Sequence, residues 1–123
     1  MKESAKMASL AVRALENKKG EDLSIIDISE ISVLADYFII ASGRNRNQVQ
    51  AMSDNVEEML AKEGWLPKNI EGYHSAAWVL LDYRDIVIHI FSETEREFYD
   101  LERIWRDGQK ITADRLAELA EEE

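Results

Sequence analysis

The chain has 123 residues, a length that fits one domain with a hydrophobic core. Its hydrophobic content of 46% excludes a disordered protein, and its 25 acidic and 15 basic residues give a formal charge of −10. Such a charge argues against electrostatic binding to nucleic acid or to anionic lipids, and it favours a basic protein partner. Cysteine is absent, which excludes disulfides and thiol chemistry.

No segment of the sequence predicts export or insertion into a membrane. The N-terminal residues lack the apolar stretch of a signal peptide, and no apolar run approaches the roughly 20 residues that span a bilayer. We therefore expect a soluble, cytoplasmic protein.

The first half of the chain predicts a helix, two strands and a second helix. Apolar residues recur at helical spacing over residues 8–15, and β-branched residues are frequent in 23–28 and 36–42. The nearly unbroken apolar run of 36–42 is typical of a central strand covered on both faces. A second periodic segment follows, with Asn45 or Asn47 as its N-cap.

The second half predicts a β-hairpin followed by helical segments. Residues 78–83 and 86–91 are strands whose short connection permits only antiparallel pairing. Thr94 and Glu97 have the spacing of a capping box, which begins a helix. The apolar face of that helix comprises Phe98, Leu101, Ile104 and Trp105.

The order of elements and the mixed strand directions predict the fold class. One small mixed β-sheet with helices packed on it, an α/β (α+β) fold, is the simplest arrangement. We expect residues 1–107 to form the domain. Residues 108–123 should form an acidic C-terminal tail that is partly helical or frayed, and dispensable for folding.

The residue types that could perform chemistry lack the neighbours that chemistry requires. His89 lies within a strand and His74 in a loop, outside any metal-binding spacing. We therefore expect His89 to be hydrogen-bonded within the sheet or to face a partner. Asp36, Asp82 and Asp85 flank strand ends without an alternating Asp-x-Asp pair, so turn formation explains them better than metal binding. No catalytic residue and no metal site are predicted.

The short sequence Ala41-Ser42-Gly43 ends a strand before a helix, a position at which α/β proteins often bind phosphate. It lacks the lysine of a P-loop and the glycines of a dinucleotide-binding fingerprint, although Arg44 and Arg46 follow it. A plain strand-to-helix turn is the preferred interpretation, and no cofactor is predicted.

The segment 78–83 offers a candidate binding surface. Alternation places three of its residues on one face of the strand: Trp78, Leu80 and Asp82. The opposite face receives Val79, Leu81 and Tyr83. Two alternatives remain open. Either both faces are covered, or one of them presents aromatic and apolar groups beside a carboxylate, as a protein-binding hot spot does.

Five stretches of the chain occur in the order and spacing of a known family. They are SVLADYFIIASG at 32–43, QVQA at 48–51, EG at 71–72 with WVLLDY at 78–83, DIVIHIF at 85–91 and REFYDLERIW at 96–105. On these motifs, which cover roughly residues 5–107, the chain resembles the ribosomal silencing factor family, also called the Iojap-like family.

The resemblance implies a nucleotidyltransferase-like fold, a homodimer when free, and no enzymatic activity. It also implies binding to the large ribosomal subunit through its fourteenth protein, on the face that joins the small subunit. Docking there would block subunit association and damp translation when nutrients are short. We expect a translation repressor with the partner-binding residues Trp78, Leu80, Leu81, Asp82 and Tyr83.

Two other functions remain open: a nucleotide-binding or nucleotidyltransferase-type enzyme, with Ser42, Gly43 and Asp82 around a metal, and a dimeric adaptor for a different protein.

One departure from the family concerns the hairpin turn. Arg84 stands where relatives commonly have glycine. Because a non-glycine residue at positive φ costs on the order of 1 kcal/mol, we expect another turn type in this chain.

Overall fold

The part of the chain that the structure describes, residues 2–98 and 106–121 of a computed structural model, forms four helices and one six-stranded sheet. The helices are α1 (Lys2–Asn17), α2 (Arg46–Lys62), α3 (Glu93–Phe98) and α4 (Ala113–Glu121). The strands are β1 (Glu21–Asp27), β2 (Tyr37–Gly43), β3 (Asn69–Glu71), β4 (Trp78–Asp82), β5 (Ile86–Ser92) and β6 (Gln109–Ile111). None of the described helices is long and apolar enough to cross a bilayer.

The sheet is mixed, as expected, with the strand order β3-β4-β5-β2-β1-β6. Its two central strands, β2 and β5, pair in parallel, and every other neighbouring pair is antiparallel. The predicted hairpin of β4 and β5 and the central position of β2 are therefore confirmed. The two edge strands, β3 and β6, have only three residues each, and such short edges offer little template for unwanted strand pairing.

The sheet has two faces of different character. We call the face that packs against α1 and α2 the inner face and the opposite one the outer face. Alternation along β2, β4 and β5 places on the inner face Tyr37, Ile39, Ala41, Val79, Leu81, Ile86, Ile88 and Ile90. All eight are fully buried and form the main core with apolar residues of the two helices. The outer face has a smaller buried cluster, centred on Ile26, Ile40 and Phe91.

The predicted N-terminal end of α2 is confirmed, whereas that of α3 is not. Asn45 caps α2, because its side-chain Oδ1 accepts the backbone N–H of Gln48 at 2.8 Å. The predicted capping box is wrong, since α3 begins at Glu93 and places Thr94 inside its first turn. The hydroxyl of Ser92 is the acceptor there, at 3.4 Å from the backbone nitrogen of Glu95. The rest of the predicted apolar face, at positions 101, 104 and 105, lies outside the described residues.

The C-terminal segment belongs to the same sheet and the same core. Strand β6, which the sequence did not predict, pairs with β1 and places Ile111 opposite Ile25. Helix α4, which the sequence did predict, packs on α1 with Leu116 fully buried. The division after residue 107 remains a prediction, but these contacts are a reason to expect that the tail contributes to stability.

We predict that Leu116→Ala lowers the free energy of unfolding by about 2–4 kcal/mol, because it removes a fully buried leucine from the contact between α4 and α1. Glu118→Ala on the exposed side of α4 is the matched control and should change stability by less than about 0.5 kcal/mol. Urea denaturation followed by circular dichroism measures both. Equal stabilities for the two variants would indicate a dispensable tail.

Candidate partner-binding surface

The outer face of β4 presents three of the five predicted partner-binding residues. Trp78, Leu80 and Asp82, which we call the β4 strip, are each half-buried there. The other two, Leu81 and Tyr83, point to the inner face and are 0% and 3% exposed. This corrects the sequence-based assignment. Both belong to the core, and burial raises the pKa of the Tyr83 phenol, with the Glu57 carboxylate on α2 as a second cause.

Carboxylates flank the apolar part of the β4 strip. The pairing of β3 with β4 places the exposed Glu71 opposite Leu80 on the same face of the sheet. Asp82 lies at the end of the strip, where its Oδ1 accepts the backbone N–H of Arg84 at 2.8 Å. One carboxylate oxygen of Asp82 is therefore engaged in a hydrogen bond within the hairpin turn. The surface therefore combines half-buried tryptophan and leucine side chains with carboxylates, and the basic residues Lys68 and Arg84 line a cleft beside it.

A cleft of about 620 Å³ adjoins the β4 strip. Leu80 and Asp82 line one side, and the loop between β1 and β2 lines the other. In that loop Val33 is 101% exposed and Leu34 is 83% exposed. Exposed apolar side chains of this size next to a cleft are typical of an interaction surface. Together with the exposed Ile31 we call them the apolar loop.

The base of the apolar loop is closed by hydrogen bonds. The backbone N–H of Ile28 donates to the carbonyl of Asp36 at 2.9 Å, and the N–H of Asp36 donates to the carbonyl of Asp85 at 2.7 Å. The hydroxyl of Ser4 on α1 also donates to Asp36, at 2.7 Å from Oδ2. Asp36 thus holds the loop to α1 and to the hairpin, a structural role that agrees with the expectation for this residue.

Trp78 is held by contacts on several sides. Its indole N–H donates to Nδ1 of His89 at 2.9 Å, which confirms that His89 is hydrogen-bonded within the sheet. Its ring stacks on Phe91 at a centroid distance of 5.0 Å. Gly72, at φ +80°, lies so close to the backbone of Trp78 that a Cβ there would be 2.1 Å from the Trp78 carbonyl oxygen. The position of Trp78 is therefore fixed by its ring and by its backbone.

The hairpin turn at the end of β4 retains a positive φ. Arg84 has φ +71°, and the N–H of Asp85 donates to the carbonyl of Tyr83 at 2.9 Å across a three-residue turn. The expectation of another turn type, one that spares Arg84 this conformation, is wrong. The physical reason is that the hairpin register and the bond from Arg84 N–H to Asp82 impose the turn whichever residue occupies position 84.

The residues of the enzymatic alternative do not meet. Ser42 pairs with Phe91 at one end of β5, whereas Asp82 pairs with Val87 near the other. These register positions are four residues apart along β5, or about 13 Å. The Ser42 hydroxyl oxygen instead accepts a hydrogen bond from Nη1–H of Arg96, and the two heavy atoms are 2.9 Å apart. No cluster of three or more possible metal ligands occurs in the described part of the chain.

Comparison with known proteins identifies the family. All of residues 1–123 match the family model described as ribosomal silencing factor during starvation. The chain belongs to this family. Its members are named as regulators that silence ribosomes, and membership assigns the chain a ribosome-associated role in the regulation of translation.

Individual relatives of the ribosomal silencing factor family agree in sequence and in fold. The ribosomal silencing factor RsfS of Halalkalibacterium halodurans is 37% identical over 105 residues, which cover 85% of this chain and 90% of the relative. The RsfS of Bacillus subtilis is 39% identical over 99 residues, with coverages of 80% and 84%. A crystal structure of a Chromobacterium violaceum protein superposes with a TM-score of 0.80 at 36% identity, over 87% of this chain and 88% of the other.

The residues of the apolar loop can be found in the family motif, but the sequence does not show that they are exposed. Val33 and Leu34 fall within the matched stretch 32–43, just ahead of β2. An apolar run before a strand is usually an extension of the core, so its exposure is visible only in the structure.

We predict that wild-type stability depends on pH through His89. Burial lowers the pKa of His89 to about 4, below the ordinary value of 6.5. Between these two values the unfolded chain binds a proton that the folded chain does not, so stability falls as the pH is lowered through this window. From pH 7 to pH 4.5 the wild type should lose about 2 kcal/mol more than His89→Leu. Urea denaturation at both pH values measures this, and parallel losses would contradict it.

We predict that Arg84→Gly raises the free energy of unfolding by about 0.5–1 kcal/mol. Relief of the positive φ outweighs the extra backbone entropy of glycine in the unfolded chain. Arg84→Ala is the matched control, because it removes the same side chain but keeps the Cβ and should give no gain. If both variants gain equally in thermal or urea denaturation, the charge of Arg84 is responsible and not its backbone conformation.

Proposed function

We propose that this protein represses translation by docking on the fourteenth protein of the large ribosomal subunit, on the subunit-joining face, where it obstructs the small subunit. The docking surface consists of the β4 strip and the apolar loop on either side of the cleft. The observation that best supports this is the position of Val33 and Leu34, which are 101% and 83% exposed on the cleft that Leu80 and Asp82 of the β4 strip also line.

The charge of the chain suits such a partner. Ribosomal proteins are typically basic, and a formal charge of −10 attracts them over long range. At short range the Glu71 and Asp82 carboxylates flank the apolar part of the β4 strip and can pair with lysine or arginine. A second molecule of the same charge is repelled at long range, which favours the ribosomal partner at low concentration.

Silencing by this route is steric and needs no catalysis. Subunit joining requires two large complementary surfaces to come within contact distance over their whole area. A 14.2 kDa body has a radius of gyration of about 14 Å, far more than the gap that such surfaces leave. The proposal assigns no catalytic residue, metal or cofactor, and the separation of Ser42 from Asp82 supports it against the enzymatic alternative.

The proposal also includes the state and place of the free protein. As the family resemblance implies, the free chain is a homodimer, and it acts in the cytoplasm. Equilibrium sedimentation of the purified protein tests the first statement, because a mass near 28 kDa is expected for two chains and 14.2 kDa for one.

We predict that Trp78→Ala and Leu34→Arg each weaken binding to large ribosomal subunits at least about tenfold. The first removes an aromatic anchor, and the second places a charged group at an apolar contact with a basic partner. Leu66→Arg is the matched control, because Leu66 is 75% exposed but does not line the cleft. Co-sedimentation with large subunits in a sucrose gradient, and titration with the purified fourteenth protein, measure the effect.

Each outcome separates a different part of the proposal. If the wild type does not co-sediment with large subunits, the proposed function is wrong. If it does and both surface variants bind equally well, the function stands and the docking surface is wrong. Calorimetry with ATP and Mg²⁺ addresses the enzymatic alternative, which saturable binding at micromolar concentrations would support.

A further inference from the structure

The tip of the apolar loop is exposed, whereas both ends of the loop are buried. The side chains of Val33 and Leu34 are almost entirely exposed, but Ile28 and Ala35, on either side of them, are 1% and 7% exposed and belong to the buried cluster of the outer face. An exposed side chain has few packing contacts that would fix its position. The position of Val33 and Leu34 over the cleft therefore depends on the base of the loop.

Hydrogen bonds within the loop restrict its internal motion. The backbone N–H groups of Ile31 and Ser32 both donate to the carbonyl of Ile28, at 3.0 and 2.9 Å. The backbone N–H of Leu34 donates to the Ser32 hydroxyl at 3.1 Å, a short turn closed by a side chain. A change of angle at the base of the loop is therefore transmitted to its tip.

Asp36 connects the base of the loop to two other parts of the fold. Its backbone N–H donates to the carbonyl of Asp85, at 2.7 Å, and Asp85 lies in the hairpin turn and lines the cleft together with Asp82. Its Oδ2 accepts a hydrogen bond from the hydroxyl of Ser4, at 2.7 Å, and Ser4 is in the first turn of α1. Ser4 and Asp36 do not line the cleft themselves. Any effect of theirs on docking is therefore exerted through the loop.

The side chain of Asp36 makes a connection that its backbone cannot make. Any residue except proline could donate a backbone N–H to Asp85, whereas the bond from Ser4 requires an acceptor in the side chain. A hydrogen bond to a carboxylate is roughly twice as strong as one between neutral groups. Ser4 is 3% exposed, so water competes little for its hydroxyl. The carboxylate thus holds the base of the loop against α1.

We propose that Ser4 and Asp36 form a positioning pair for docking, whose hydrogen bond sets the angle of the apolar loop over the cleft and so the width of the cleft that the ribosomal partner enters. This inference rests on the proposed docking surface, and it adds the first turn of α1 to the parts of the protein on which binding depends. Loss of the bond leaves the fold intact but lets the loop turn, so that Val33 and Leu34 no longer meet the partner together with Leu80.

A double-mutant cycle tests the pair through affinity for large ribosomal subunits. Ser4→Ala and Asp36→Ala should each lose about fivefold, and the double variant should lose no more than either single one, because both changes remove the same bond. Asp36→Asn removes the charge but keeps an oxygen that accepts from Ser4, and it should stay within about twofold of the wild type. Additive losses in the double variant, or an equal loss in Asp36→Asn, would overturn the pair.

Hydrogen exchange in the free protein separates positioning from a general loss of stability. The N–H of Ile28 donates to the Asp36 carbonyl, and its protection should fall about tenfold in Ser4→Ala and Asp36→Ala. The N–H of Ile39, in the centre of β2, should lose less protection, because it exchanges when the sheet opens. Unchanged protection of Ile28 in both variants would show that the bond does not hold the loop, and the inference would be wrong.

Leu116→Ala is the matched control for lost stability, because Leu116 is buried but does not line the cleft. It should lower the protection of Ile39 more than that of Ile28, and its affinity should stay within about twofold of the wild type. If its affinity falls as much as that of Ser4→Ala, lost stability explains the effect and the positioning role is wrong.

The remaining outcomes distinguish this inference from the proposed function. If Ser4→Ala and Asp36→Ala speed the exchange of Ile28 but bind as tightly as the wild type, the angle of the loop does not matter for docking. The inference is then wrong, while a loss of binding in Leu34→Arg still supports the docking surface. If the wild type does not co-sediment with large subunits, the proposed function is wrong and the positioning role is overturned with it.

Discussion

The burial of the inner face of the sheet against α1 and α2 is the constraint on which the rest of the structure depends. Each fully buried leucine or isoleucine on that face contributes about 1.5–3 kcal/mol relative to exposure. A slip of β4 by one residue would move Val79 and Leu81 out of the core and bring Trp78 and Leu80 in. The register that the core imposes is therefore also what places the β4 strip on the outer face.

Residues with positive φ occur on both sides of β4, as they also do at Lys19 and Asp22 around the start of β1. The loop before the strand contains Gly72 at φ +80° and Ala76 at φ +57°, and the turn after it contains Arg84 at φ +71°. The two non-glycine residues are in a conformation that costs on the order of 1 kcal/mol each, which the surrounding contacts must offset. Ala76 is 2% exposed and its N–H donates to the carbonyl of Gly72 at 2.9 Å. Both connections thus hold the strand that presents Trp78 in one position.

Periodicity made most of the fold predictable, because the α1, α2 and α4 segments and the long strands have patterns that extend over several residues. It also divided β4 correctly into two sets of side chains. It could not tell which set faces the helices, because both sets contain large apolar groups. Leu81 and Tyr83 were therefore placed on the surface together with Trp78 and Leu80, and only packing against α1 and α2 separates them. Strand β6 escaped prediction since three residues are too few for a period.

The same limit applies to the cleft. Val33 and Leu34 have the side chains of a core, but they are exposed in a loop whose base is closed by hydrogen bonds at Asp36. Pairing across the sheet likewise determines the distance between Ser42 and Asp82, which the linear sequence does not express. Features such as these depend on two distant segments, whereas the cap of α3 and the turn at Arg84 were local features that the sequence also predicted wrongly.

The hydrogen bond and the ring contact that hold Trp78 have a consequence for the entropy of association. A side chain that is already held by a hydrogen bond and a stacked ring loses little rotamer freedom when a partner covers it. Leu34, which is 83% exposed, must instead give up about 0.5–1 kcal/mol of conformational entropy. In the proposed complex the apolar loop would therefore carry a larger entropic cost of association than Trp78, whose conformation is already set in the free protein.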